Sequence, residues 1–179
     1  ARVSPHPVVT PLDGLRARFG PEVDVMFERG CTNHKRIPPL DTRFLDGSVQ
    51  VEYYAGPERS GDPVLAEDAE RAWFTWLGPV GAGVPDDFSV RVRATLRPPE
   101  SGEWTLSLVQ AGRARLSLDG EVLLDNWNPT GRSDAFYGFG SEELVATLDL
   151  VAGQAYEIGV EGLPAAAAVR GLGVGHLRP

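Results

Sequence analysis

The chain has 179 residues, with 25 acidic against 17 strongly basic side chains, a formal net charge of -8 and a pI near 4.9. It therefore lacks the positive surface that a nucleic-acid partner needs, and no apolar run approaches the roughly 20 residues of a membrane helix, so neither partner is expected. Hydrophobic content of 42% is that of a globular protein, and the single cysteine, Cys31, excludes an internal disulfide.

The chain opens at Ala1 without a methionine, which suggests a piece of a longer protein. Arg2 to Pro11 reads as an extended, Pro-rich lead-in. Thr10 then has the chemistry of an N-cap, Pro11 suits the first helical position, and Asp13 can meet the free N–H groups of the first turn. Leu12, Leu15 and Phe19 follow at helical spacing, and Gly20-Pro21 stops the helix. Val23, Val25 and Phe27 alternate as a short strand ending near Gly30. A helix and one strand cannot bury themselves, and a parallel strand needs neighbours that this chain does not supply. Residues 1–41 are therefore expected to be a fragment of a flanking α/β domain, with a boundary over Arg36–Thr42 at Pro38-Pro39.

From residue 42 to 179 the pattern is alternation broken by turn signals. Val49 to Tyr54 predicts a strand, as does the aromatic run from Arg71 to Leu77, with Phe74 and Trp76 on one face and Trp73 and Thr75 on the other. Phe88, Val90, Val92, Ala94 and Leu96 alternate strictly with polar residues, apolar inside and basic outside. Trp104, Leu106 and Leu108 repeat the pattern. Leu116 and Leu118 form a further strand that leads into Asp119-Gly120, a type I′ turn signal, because both central residues of that turn need φ > 0, and a second strand, Glu121 to Asp125, leaves it. Leu144 to Leu150, then Tyr156, Ile158 and Val160, then Leu172, Val174 and Leu177 complete about nine strands; Ala165 to Ala168 reads as a turn or a loop. The expected class is mainly β: an antiparallel sandwich or barrel preceded by the short helix–strand fragment.

Between Asp125 and Gly140 the chain changes character. Asp125, Asn126, Trp127, Asn128, Arg132, Phe136, Tyr137 and Phe139 crowd into one loop with Pro129 and three glycines. Aromatics beside hydrogen-bonding groups suit a surface that stacks on a sugar ring and bonds its hydroxyls. The alternative is that Trp127 and Phe139 fold back to plug one end of the β-core.

Other chemistry is poorly supplied. Glycoside hydrolysis needs two carboxyl groups flanking the scissile bond, but Asp86-Asp87 and Glu142-Glu143 are adjacent pairs and read as turn residues. Cys31 and His34 form a lone C-x-x-H with no second pair, which does not make a zinc site. The glycine-rich run at 78–85 lacks the helix and the Lys-Ser/Thr of a phosphate cradle.

The run Asp87 to Val92, then Pro98-Pro99-Glu100-Ser101-Gly102-Glu103-Trp104-Thr105-Leu106, then Leu118-Asp119-Gly120 and Asp125-Asn126-Trp127 resembles the PA14 domain, over roughly residues 45 to 177. Val3-Ser4-Pro5, Thr10 to Leu15 and Gly30-Cys31 resemble the α/β-sandwich domain of glycoside hydrolase family 3 β-glucosidases, some of which carry an inserted PA14 domain at this place. The resemblance implies an accessory role. The insert would lean over the catalytic pocket, with Asp125 to Phe139 on the leaving-group side of a glucoside substrate and the catalytic domains of the parent enzyme as partners. The nucleophilic Asp and acid/base Glu of that family lie in other segments of the parent, so this chain alone is not expected to be an enzyme. PA14 adhesins hold calcium through consecutive aspartates at the place of Asp125-Asn126; the amide here removes one charge, and no cofactor is expected. Two other readings stand beside the first: an independent sugar-binding module and a structural spacer.

Overall fold

The structure is a computed structural model that describes residues 8–28, 34–165 and 169–178. The lead-in before Val8, Cys31 of the C-x-x-H pair and the run 166–168 lie outside the described residues. The chain divides into two units, Ala1–His34 and Lys35–Pro179.

In the first unit the helix Pro11–Phe19 forms as its caps dictate. The Thr10 hydroxyl accepts from the Asp13 N–H at 3.2 Å, and the Asp13 carboxylate accepts from the Thr10 N–H at 3.1 Å, a reciprocal capping box. Among the described residues the expected strand over Val23–Phe27 does not form, and Val23, Met26 and Phe27 are exposed. Alternation alone makes an extended segment; a strand also needs a neighbour to take its N–H and C=O groups.

The second unit contains nine strands among the described residues: β1 (Val49–Ala55), β2 (Leu65–Ala69), β3 (Trp73–Trp76), β4 (Phe88–Leu96), β5 (Gly102–Leu118), β6 (Glu121–Asn126), β7 (Leu144–Leu150), β8 (Tyr156–Pro164) and β9 (Arg170–Leu177). All pair antiparallel, in the order β2-β1-β4-β8-β5-β9-β3, with β6 and β7 also on β5. β2 is the strand that the alternation did not show. Its sequence, Leu-Ala-Glu-Asp-Ala, is polar because it is a sheet edge, and it forms by pairing along β1.

The central element is β5. The runs around Leu106 and Leu116, expected as two strands, are one 17-residue strand. Its first half pairs with β7 and β9, and its second half, from Gly112, pairs with β8 and β6. At the changeover Gly112 has φ +133°, and a Cβ there would overlap the backbone of Leu163, Pro164 and Ala165. This glycine lets one sheet fold over on itself, giving a curled antiparallel half-barrel. Trp104, Leu106, Leu108 and Leu116 of β5 meet Val51, Val90 and Leu172 in the core between the halves.

The outer side of β9 is paved with Gly171, Gly173 and Gly175. The ring of Phe136 lies over the first, the ring of Trp73 over the second, and Ile37 and Pro38 over the third. The segment containing the Pro38-Pro39 boundary thus runs along β9, where Leu40 is buried and its N–H donates to the Val174 carbonyl at 2.9 Å. Near the end of β9 the His176 ring stacks on Trp104 (5.8 Å) and meets Phe44 edge-on (5.5 Å). Its Nδ1 accepts from the Asp41 N–H at 3.2 Å.

Candidate functional site

The β5–β6 hairpin turns on Asp119 and Gly120, both at positive φ (+50° and +83°), and delivers the chain to the aromatic loop. Asp125 stands opposite Arg115 of β5, and their side chains approach to 3.1 Å. The same carboxylate accepts the Trp127 N–H at 3.0 Å. The Arg115 guanidinium beside it, and next the Trp127 backbone N–H, hold the Asp125 carboxyl below its ordinary range. Trp127 is half-buried, with the guanidinium groups of Arg115 and Arg59 at 5.0 and 5.7 Å from its ring centroid.

The far end of the loop is a closed lip. The Ser133 N–H donates to the Gly140 carbonyl, and the Gly140 N–H donates to the Ala135 carbonyl, each at 2.8 Å. Asp134 forms ion pairs with Lys35 and Arg36. The tight turn Ala135–Gly138 holds two consecutive non-glycine residues in the left-handed region: Phe136 at φ +49° and Tyr137 at φ +58°. Each costs roughly 1–2 kcal/mol. The cost at Phe136 is offset by its ring, which is 7% exposed, 5.4 Å from Trp73 and packed with Val109, Ala111 and Ala135. The same kink throws Tyr137 outward at 75% exposure, with Phe139 beside it at 50%.

Two adjoining clefts open beside this loop. The first, of about 800 Å³, has apolar walls from Pro57, Phe88, Trp127, Pro129, Leu163 and Pro164 and polar groups from Asp86, Asp87, Arg113, Asn128 and Thr130. The second, of about 480 Å³, shares Gly112, Pro129 and Thr130 with it and adds Gln110, Arg132, Phe139 and Ser141. Gln110 is buried; its Nε2 donates to the Asn126 carbonyl at 3.1 Å, while its Oε1 has no partner.

Of the eight residues singled out from sequence, Trp127 and Asn128 line the first cleft, and Arg132 and Phe139 line the second. Tyr137 is exposed and Asp125 is engaged by Arg115. The structure turns two inward. Asn126 is buried, its Nδ2 donating to the Ser141 hydroxyl at 3.1 Å, and Phe136 is a foundation for the lip. Sequence reasoning set Asp86-Asp87 aside as turn residues and passed over Arg113 and Leu163-Pro164. They come from the turn before β4, from β5 and from the end of β8, and only the fold over Gly112 brings them to one wall; the acidic pair before β4 was the available signal. Among the described residues no group of three or more His, Cys, Asp or Glu side chains is placed to hold a metal ion, and no helix is long and apolar enough to cross a membrane.

A family model described as the PA14 domain matches residues 46–164. A β-glucosidase of Rhizobium radiobacter is 32% identical over 179 residues, covering 99% of this chain and 21% of that protein. A probable β-glucosidase K of Aspergillus fumigatus is 28% identical over 168 residues, covering 90% and 22%. The chain thus spans about a fifth of the length of these curated relatives. Among solved structures, a β-glucosidase from Kluyveromyces marxianus superposes with a TM-score of 0.77 at 23% identity, over 96% of this chain and 22% of that one. The A domain of epithelial adhesin 9 from Candida glabrata, in complex with Galb1-4GlcNAc, superposes with a TM-score of 0.55 at 9% identity, over 80% and 90%.

Proposed function

Because this chain belongs to the PA14 domain family, and because its curated relatives are β-glucosidases of which it spans about a fifth, we propose that it is an accessory carbohydrate-recognition domain of a family 3 β-glucosidase. In this reading the first unit, Ala1–His34, belongs to the flanking α/β domain, and the β-domain leans over the catalytic pocket formed by other segments of the parent. The observation that carries it is the lip: Tyr137 and Phe139 exposed on a strained, braced turn, with Phe139 on the wall of the second cleft. Exposed aromatics on a kinked backbone cost stability and add none, which is the signature of residues retained for contact with something else. Tyr137 and Phe139 would stack on the aglycone or the outer sugar, while Asn128, Asp87 and Arg132 would bond hydroxyls. The chemistry remains with the parent's own carboxylates, and the domain changes how tightly the leaving-group side is held.

The test is kinetic. In the parent enzyme, Tyr137→Ala with Phe139→Ala should raise KM for glucosides with large leaving groups and leave kcat nearly unchanged, the pattern of lost uniform binding. Unchanged KM across small and large aglycones would reduce the domain to a spacer. A stand-alone sugar-binding module is the second reading, favoured by a cleft of about 800 Å³ formed within this chain alone. Glycan binding by the isolated chain would support it.

A further inference from the structure

A row of charge crosses the outer face of the sheet and ends on the loop. At one level of register Glu52 of β1 lies opposite Arg91 of β4, Arg91 opposite Glu161 of β8, Glu161 opposite Arg115 of β5, and Arg115 opposite Asp125 of β6. The sign alternates across five neighbouring strands, so each charge inside the row has an opposite charge on both sides. Facing residues on one side of an antiparallel pair interact directly. Arg91 comes to 3.6 Å from Glu52, and Arg115 to 3.1 Å from Asp125. Glu161, at the centre, is held at 2.7 Å by Arg59, which reaches in from the β1–β2 connection with little of its side chain exposed.

The row continues into Trp127. Asp125 accepts the Trp127 backbone N–H, and the guanidinium groups of Arg115 and Arg59 sit over its ring. Among the described residues no backbone–backbone hydrogen bond reaches Trp127 to Thr130, so the loop's own backbone does little to fix the indole.

We propose that Arg115 and Arg59 are positioning residues, which carry the register of the sheet into the loop and hold the Trp127 indole as a fixed wall of the first cleft. Each arginine is anchored by a carboxylate of the row and presents its guanidinium to the ring, so the indole is gripped by cation–π contact on a rigid frame. The consequence for ligand affinity rests on the function proposed above; the positioning itself does not.

The experiment follows the four indole N–H signals of this chain by NMR, with that of Trp127 assigned from Trp127→Phe. Arg115→Gln should move the Trp127 signal and leave those of Trp73, Trp76 and Trp104 in place, while lowering Tm by no more than about 4 °C. Arg115→Lys should restore the signal in part, since it keeps the charge and loses the planar fork. The unaltered chain in about 1 M salt, where the Debye length falls to about 3 Å, should move the same signal in the same direction, and this arm needs no variant to fold. A Trp127 signal unmoved by both Arg115→Gln and salt, or displacement of all four signals together, would overturn the proposal. In the parent enzyme Arg115→Gln should raise KM for a large-aglycone glucoside with kcat held. A moved indole with unchanged KM would keep the positioning and reject the functional reading.

Discussion

Replacing Tyr137 by Gly and by Ala separates backbone strain from side-chain contact. Both variants delete the same exposed ring, so the loss of side-chain contact is common to them. They differ in the cost of φ +58°, which is roughly 1–2 kcal/mol for Ala and near zero for Gly. Against this, Gly gives the unfolded chain more freedom, worth about 0.4–1 kcal/mol. The net difference is about 0.5–1 kcal/mol in favour of Gly, or roughly 1–4 °C in Tm for a domain of this size. At an ordinary helical position the order is reversed, with Gly about 1 kcal/mol worse than Ala. Thermal melts of the two variants by calorimetry or circular dichroism read the difference directly. The same order should hold for Phe136→Gly against Phe136→Ala, on a baseline lowered by about 3 kcal/mol for the buried ring. An Ala variant at position 137 as stable as the Gly variant would mean that the kink, and the outward projection it enforces, is not what shapes the lip.

Three further outcomes are expected. Gly112→Ala drives a Cβ into the backbone of Leu163 to Ala165 and should cost about 3 kcal/mol or more, roughly 6–12 °C in a melt; a loss below about 1 kcal/mol would mean the sheet does not turn over at that residue. Burial holds His176 below its ordinary 6.5, so the fold prefers the neutral ring and the unfolded chain takes up the proton first. Stability should be level above about pH 6.5 and fall as the pH drops below it, flattening only under the folded value; urea melts of His176→Gln should lose that slope, and an unchanged slope would place its origin elsewhere. A calcium site of about 10 µM affinity would add about 2.7 kcal/mol at 1 mM. With Asp125 engaged by Arg115 and Asn126 turned inward, the expected change in melting is nil, and a clear rise would restore a metal-dependent sugar site.

The β-body was legible where a strand buries one face and exposes the other. Alternation at Phe88–Leu96 and the Asp-Gly turn fixed those elements from local chemistry. β2 was not legible, because an edge strand of Leu-Ala-Glu-Asp-Ala has no buried face to announce it. The continuity of β5 was hidden because Gly112 looks like a break when it is a fold in one strand. The candidate site was legible as a concentration of residue types and not as an arrangement. Nothing local distinguishes Phe136, which the glycine track of β9 receives, from Tyr137, which nothing receives. Asn126 faces inward because the buried Ser141 hydroxyl and the Glu142 carbonyl accept from its Nδ2, and both lie on another segment. The Glu52–Asp125 row depends on register across five strands, which no single stretch of sequence encodes.

The central claim is that the lip touches the leaving-group side of a substrate held by the parent's catalytic domains. A crystal structure of the whole enzyme with a glucoside bound tests it most directly. The rings of Tyr137 and Phe139 should lie within about 4 Å of the aglycone. A lip directed into solvent, with no atom of this chain near the bound glucoside, would contradict the account.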